Sequence, residues 1–126
     1  NEFNKPIPVI VAGGVFTHED MMKYLDLGAS GVQVATQFVA THECDAHINF
    51  KNAFVNCKKE DIELTISPVG MPGRAIRNKL TYCISSALIK AVKGDVENGL
   101  VFCGANAYRI NKISSVEEIL NKLIGK

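Results

Sequence analysis

Two short runs of small residues could place main-chain N–H groups around an anion. Gly13-Gly14 follows the first apolar segment of the chain, and Ala35-Thr36 closes the second. Glycine permits a positive φ and a close approach to a ligand, Ala35 is small, and the Thr36 hydroxyl adds a donor. The two runs therefore indicate a phosphate-binding site built from two turns. Gly13-Gly14 alone would equally suit a plain strand-to-helix turn, and the spacing is not that of the Gly-x-Gly-x-x-Gly dinucleotide motif.

Each run lies at the end of a predicted β-strand. Residues 8–12 are continuously apolar and β-branched, which is typical of a parallel strand covered on both faces, and residues 31–35 form a second short strand. Between them, Thr17 and Asp20 form a capping box for a helix that ends at Gly28. Loops at the carboxyl ends of neighbouring parallel strands lie side by side, so this unit brings the two runs together.

The remaining residues are predicted to be mainly helical. A helix begins near Asp45, with Lys51 on its exposed face. Residues 62–66 alternate like a short strand, residues 67–73 form a loop stiffened by two prolines, and a later helix ends at Gly94. The apolar face of that later helix consists of Ile84, Leu88, Ala91 and Val92. The closing helix has two alternative capping boxes, Ser114 with Glu117 and Ser115 with Glu118.

Two parallel strands with their helices make an incomplete fold. They cannot close a barrel or fill a doubly wound sheet, because a parallel sheet needs both faces covered. A whole (β/α)8 barrel takes about 250 residues. We therefore expect an α/β protein that is roughly the second half of such a barrel, with the missing strands before Asn1.

Composition excludes several classes of partner. The chain has 126 residues and a formal net charge of +1, which supplies no basic stripe for a nucleic acid. No apolar run approaches the roughly 20 residues that a membrane-spanning helix needs. The four cysteines, which are Cys44, Cys57, Cys83 and Cys103, form no Cys-x-x-Cys pair and favour reduced thiols in the cytoplasm.

Other polar residues are further candidates for ligands. Arg74 and Arg77 are predicted to stand at the head of a helical segment, where an arginine could hold a carboxylate, nitronate or phosphate, or be solvated or paired with acids. The His and Cys residues fit no common zinc spacing, so no metal site is predicted. His18 is expected on the surface and His47 in a structural hydrogen bond. Cys44 and Cys57 are expected to be small core side chains.

Several segments together carry a family resemblance. Segments 8–14 and 27–38 (Pro-Val-Ile-Val-Ala-Gly-Gly and Leu-Gly-Ala-Ser-Gly-Val-Gln-Val-Ala-Thr-Gln-Phe) resemble the last two barrel strands of the FMN-dependent nitronate monooxygenases, formerly called 2-nitropropane dioxygenases. The same family includes flavin-dependent enoyl-acyl-carrier-protein reductases. Further similar segments are 40–47, 67–78, 94–95 and 99–104. No single motif carries the resemblance, which covers most of the chain.

The resemblance implies a fold and a set of cofactor contacts. The chain would be the C-terminal part of a TIM-barrel flavoenzyme, one unit over 1–126, with the last two strands and phosphate turns in 1–40 and a mainly helical extension in 41–126. FMN would be the cofactor, its phosphate held by Gly13, Gly14, Ala35 and Thr36, with Gln33 nearby. The sequence has Ala35 where the family usually has Gly, and Gln37 where it usually has Arg. Loss of that cation would weaken a local ion pair.

The resemblance also implies an activity and what is missing for it. The enzyme would oxidise an alkyl nitronate with dioxygen, and a sibling activity would pass electrons from NAD(P)H to an enoyl thioester. The catalytic histidine is expected upstream of Asn1, Arg74 is a candidate substrate contact, and the isolated segment is expected to be inactive. Its partners would be the small-molecule substrate and the rest of the barrel. The resemblance does not decide whether the protein forms a homo-oligomer. A flavin-free phosphate-binding barrel and a non-catalytic interaction module are the alternatives.

Overall fold

The computed structural model describes residues 7–66, 70–80 and 86–126 of the chain, which are mixed α/β. Two short sheets are present there, one parallel and one antiparallel, with helices packed around them. In chain order the elements are β1 (Ile10–Ala12), α1 (His18–Asp26), β2 (Gly31–Gln33), α2 (Thr36–Val39), α3 (Ile48–Val55), β3 (Ile62–Ile66), β4 (Pro72–Ile76), α4 (Ala87–Val92) and α5 (Val116–Ile124). Short 3₁₀ turns occupy Lys59–Asp61 and Ala107–Arg109.

The first half of the chain is the predicted strand–helix–strand unit. β1 and β2 pair in parallel, with Ile10 opposite Gly31. The capping box that begins α1 is confirmed: the Thr17 hydroxyl accepts from the Asp20 N–H, and the Asp20 carboxylate accepts from the Thr17 N–H at 3.0 Å. Gly28 follows the helix with φ +95°, the left-handed conformation that ends many helices.

The first strand of this unit is largely exposed, whereas Val32 of β2 packs against the helices, and this corrects one expectation. The sequence predicts β1 to be buried on both faces, yet Val9 is 58% and Ile10 57% exposed. The described residues include only these two parallel strands. Such a narrow sheet gives α1 and the chain's other helices little surface to cover. The apolar side chains of this strand are therefore largely exposed and do not form a core.

The hydrophobic core lies between the helices instead. Its main cluster surrounds Phe54 and Val101, which are almost wholly buried. A second cluster joins α1 to α5 through Val15, Ile119 and Leu123. These contacts tie the chain's last helix to its first βα unit, so the two ends of the described chain pack together.

Three predictions about α3 and α5 can be compared with the structure. α3 begins at Ile48 rather than near Asp45, because the His47 ring, as N-cap, accepts from the Asn49 N–H. Lys51, predicted on the exposed face, is only 7% exposed. Lysine can bury its aliphatic stem while its ammonium reaches the solvent, so position 51 joins the packed face. For α5, Ser115 rather than Ser114 is the N-cap, with Glu118 as its partner.

The second sheet contains the largest departure from the sequence prediction. β3 forms at 62–66 as predicted, but the supposed loop and helical head that follow include β4, which pairs antiparallel with β3. Arg74 therefore lies in a strand opposite Leu64, and Arg77 follows the strand end. Residues 67–69 of the predicted loop lie outside the described part of the chain, as does Ile84 of the predicted helix that ends at Gly94. α4 confirms that this part of the chain is helical, but of its predicted apolar face only Ala91 is buried, beside Ala87, while Leu88 and Val92 are exposed.

Within the described ranges, no helix combines the length and the apolar character needed to cross a bilayer.

Candidate functional site

The two runs of small residues line one cavity. Its volume is about 390 Å³, and it is bounded by residues 12–16 from the first turn and 33–37 from the second. The parallel pairing of β1 and β2 brings the two turns together, since both strands end at the same edge of the sheet. The structure thus assembles Gly13, Gly14, Ala35 and Thr36 in one place, with Gln33 on the same lining.

The first turn needs its glycines. Gly13 has φ +84° and Gly14 has φ +76°, in the region where an L-residue with a Cβ is strained. Outside the ladder between β1 and β2, the main-chain N–H groups of both glycines donate to no other residue in the described part of the chain. These N–H groups are therefore available to a ligand in the cavity.

The second turn offers two further main-chain donors and a hydroxyl. The N–H groups of Ala35 and Thr36 likewise have no acceptor among the described residues outside the sheet ladder. The Thr36 hydroxyl oxygen accepts from the Gly104 N–H at 3.0 Å. Because that oxygen is already an acceptor, its own proton is left to be donated elsewhere.

A third wall comes from residues 104–106, part of the run of small residues from Gly104 to Ala107 that sequence reasoning considered as a wall without a spacing argument for it. The segment before it, residues 101–103, runs antiparallel beside β4: the Ile76 N–H donates to the Val101 carbonyl, and the Cys103 N–H to the Arg74 carbonyl, each at 3.0 Å. The chain then crosses the two turns, where Gly104 bonds to the second one. The Asn106 side-chain N–H donates to the Gly14 carbonyl at 3.1 Å. Both turns are therefore fixed by the same segment.

Close packing explains why residue 104 is a glycine. A Cβ built there would lie 2.7 Å from the Thr36 hydroxyl oxygen, inside van der Waals contact. The sequence shows Gly104 to Ala107 as a run of small residues, but the partners of that run are 68 and 92 residues away in the chain. No local pattern could have identified them.

The cavity has an unusual balance of charge. Among its described lining residues one side chain is charged, that of Arg74, and none is acidic. Gln37, which stands where the family resemblance leads one to expect arginine, is buried, and its side-chain N–H donates to the Phe16 carbonyl at 3.1 Å. Position 37 therefore supports the first turn and contributes no charge.

Asp20 braces the first turn from outside the cavity. Its carboxylate accepts from the N–H groups of Phe16 and Thr17 at 3.0 Å and pairs with Arg109 at 3.3 Å. Partial burial raises the pKa of Asp20, but these two hydrogen bonds and the Arg109 charge outweigh it, so the pKa lies below its ordinary value. The Arg109 guanidinium also stacks over the Phe16 ring at 4.5 Å.

A larger, more open cavity of about 810 Å³ lies on the other side of Phe16, beside α5. It contains none of the predicted phosphate-binding residues, although Gln37 touches it. Its charges are of both signs, and Lys112 pairs with Glu118 at 3.3 Å. Size alone therefore does not make it the better candidate for an anion.

The histidines and cysteines make no metal centre in the described residues. His18, expected on the surface, is half-buried, with its Nδ1 2.9 Å from the Leu123 carbonyl oxygen. His47 makes the structural bond at the start of α3 that was predicted. Cys57 is buried as expected, whereas Cys44 is only half-buried, and Cys83 lies outside the described part.

Comparison with known proteins gives matches over nearly the whole chain. A sequence model described as nitronate monooxygenase matches residues 2–93. A probable nitronate monooxygenase of Bacillus subtilis (strain 168) is 30% identical over 93% of this chain and 39% of its own length. FabK from Thermotoga maritima superposes with a TM-score of 0.82 at 30% identity, over 96% of this chain and 44% of FabK.

A nitroalkane oxidase from Streptomyces ansochromogenes has the same fold. Its TM-score is 0.77 at 22% identity, and the match covers 96% of this chain and 39% of the oxidase. The chain thus spans about two fifths of the length of the relatives that it matches.

Proposed function

Since this chain belongs to the nitronate monooxygenase family, we propose that it is the phosphate-anchoring part of an FMN-dependent oxidoreductase. The observation that carries the proposal is the 390 Å³ cavity, where two turns have main-chain N–H groups with no acceptor among the described residues outside the β1–β2 ladder. Such converging N–H groups bind phosphate in many unrelated proteins. The residues we assign to the FMN phosphate are Gly13, Gly14, Ala35 and Thr36, with Gln33 beside them.

The donor set fits a phosphate better than a neutral group. Main-chain N–H groups and the Thr36 proton are all donors, and the described lining has no carboxylate to repel an anion. Because residues 13 and 14 are glycines, the main chain of this turn carries no Cβ that could hinder a close approach. FMN, when bound, supplies the redox chemistry, and the protein supplies binding and orientation.

We propose that further parallel strands extend the β1–β2 sheet into a (β/α)8 barrel, and we call the chain together with those strands the complete protein. Val9 and Ile10 carry apolar side chains that no described element covers, and parallel sheets are ordinarily covered on both faces. The relatives are more than twice as long as the matched region. The catalytic histidine and the ring-binding surface would belong to those strands, so the 126-residue chain alone is expected to be inactive.

The reaction proposed for the complete protein is oxidation of an alkyl nitronate by dioxygen. In that reaction this chain orients the cofactor by its phosphate and keeps the two turns rigid through Gly104 and Asn106. A preorganised anchor matters because it fixes the flavin without further ordering when the substrate arrives. We also place the protein in the cytoplasm, consistent with the free thiols of Cys44, Cys57 and Cys103.

The test is to purify the complete protein and measure its visible absorption and its affinity for FMN and riboflavin. Bound flavin and a preference for FMN are expected, because riboflavin lacks the phosphate. Oxygen uptake with an alkyl nitronate would then assign the activity, whereas NAD(P)H consumption with an enoyl thioester would assign the sibling reductase. A protein that binds phosphorylated metabolites but no flavin would be the flavin-free alternative. Failure to bind any phosphate ligand would refute the site.

A further inference from the structure

Arg74 is the residue of the cavity whose role is still open. It is the lone charged side chain on the described lining, and it forms no ion pair with another residue in the described ranges. The other arginines of the described chain are engaged: Arg77 pairs with Glu63 at 3.1 Å and Arg109 with Asp20 at 3.3 Å. An unpaired guanidinium beside converging N–H donors is an arrangement that an anion would complete.

The main chain holds Arg74 firmly in this place. It lies in β4 opposite Leu64, and its carbonyl accepts from the Cys103 N–H at 3.0 Å. The next residue, Ala75, is buried with 4% exposure and bridges to Phe102. The same segment continues to the Gly104 contact with the second turn. The position of Arg74 is therefore coupled to the turns rather than to a free loop.

A phosphate monoester needs more than N–H dipoles. It carries a charge of about −1.5 to −2 at neutral pH. Main-chain N–H groups solvate this charge but bring no opposite charge, and Gln37 is a neutral side chain whose amide already donates to the Phe16 carbonyl. A guanidinium supplies the counter-charge together with two parallel donors that match phosphate oxygens.

We infer that Arg74 is the cationic ligand of the FMN phosphate, an inference that rests on the proposed function of the two turns. The cation comes from β4 of the chain's second sheet, which lines the same cavity as the turn that carries Gln37. Arg74 is thus a cofactor-binding residue, rather than the substrate contact that sequence analysis considered.

The experiment compares FMN with riboflavin in the complete protein. Arg74→Gln is expected to raise the Kd for FMN about 10- to 150-fold, the range for a lost charge-assisted hydrogen bond. The Kd for riboflavin should stay within about twofold, because riboflavin has no phosphate for the guanidinium to bind. Arg74→Lys, which keeps the charge but loses the paired donors, should fall between Arg74→Gln and the wild type. The preference of the wild type for FMN should also weaken with added salt.

Arg77→Gln is the matched control. Arg77 is in the same hairpin and has the same charge, but it pairs with Glu63 and does not line the cavity. Its substitution should leave both affinities unchanged, and the thermal unfolding of each cofactor-free variant shows whether the fold is preserved. Equal losses of FMN and riboflavin affinity in Arg74→Gln, or no loss of either, would overturn the inference while the wild type still prefers FMN. A wild type that binds FMN and riboflavin equally would instead refute the phosphate site itself, and Arg74 with it.

Discussion

Replacing Gly13 by alanine separates the backbone role of the first turn from its role in binding. Gly13 has φ +84°, and a Cβ built there meets no other atom within 4 Å. Gly28, at the end of α1, has φ +95° and equally empty surroundings, but it does not line the cavity. Gly28→Ala is therefore a control with the same conformational cost and no contact with the ligand.

The expected magnitudes come from this pairing. A left-handed conformation costs a residue with a Cβ about 1–2 kcal/mol, so both variants should lose that much free energy of unfolding. In Gly13→Ala the turn must either keep its strained conformation with a methyl group at the cavity or relax and redirect an N–H group. Loss of one hydrogen bond to a charged group is worth about 1.5–3 kcal/mol, which is about 10- to 150-fold in Kd.

The assay pairs thermal unfolding of the cofactor-free complete protein with fluorescence titration by FMN. Both variants should unfold at lower temperature by similar amounts, but only Gly13→Ala should bind FMN more weakly. If Gly13→Ala and Gly28→Ala retained the same FMN affinity, the N–H groups of this turn would not hold the phosphate. The glycine pair would then be a plain strand-to-helix turn.

Three further changes probe the surroundings of the cavity. Gly104→Ala should lower FMN affinity and cost about 1–3 kcal/mol of stability by overpacking against Thr36, to be measured by the same titration and by denaturant unfolding. Asp20→Asn should cost about 0.5–2 kcal/mol near neutral pH. Because the pKa of Asp20 is lowered in the folded protein, the wild type is more stable than Asp20→Asn above about pH 4. This difference is lost as the pH falls through the folded pKa, so the unfolding curves of wild type and variant should converge in acid. Burial raises the pKa of the Cys103 thiol to about 11, so Cys103 should resist alkylation near pH 8 in the folded protein and react after unfolding. Mass spectrometry can follow the labelling. Rapid labelling of the native state would contradict this packing.

Local signals determined the parts of the fold that were predicted well. The capping boxes at Thr17 and Ser115 each need only a side chain and an N–H three residues away, so their sequence spacing is sufficient. The parallel pairing of β1 and β2 was also predictable, because a crossover through one helix brings two strands parallel, but β2 ends at Gln33 rather than at Ala35 as predicted. The exposure of β1 was not predictable, since burial depends on tertiary packing that a local pattern does not contain.

The sequence prediction missed the hairpin because Pro72 and Gly73 are residue types that occur both in loops and at certain positions of strands. Pro72 and Gly73 indicate a loop when read locally, yet proline is also tolerated at the first residue of a strand. Glycine is required at 73 for a tertiary reason: a Cβ there would overlap the Phe102 ring. The same contact aligns residues 101–103 beside β4, so the signal that argued against a strand is a consequence of its packing.

The hairpin also determines where the third side of the cavity lies. Once β4 is a strand, its neighbour at residues 101–103 must continue toward the two turns, and Gly104 and Asn106 reach them at 3.0 and 3.1 Å. If residues 72–76 formed a helix, they would not pair with residues 101–103. The position of Arg74 would then not depend on the segment after Phe102. In the hairpin, Arg74 lies in β4, and Gly104 and Asn106 follow the segment that pairs with β4. A change in the packing of Gly73 should therefore disturb all three residues together. The later part of the chain therefore lines the same cavity as the two turns.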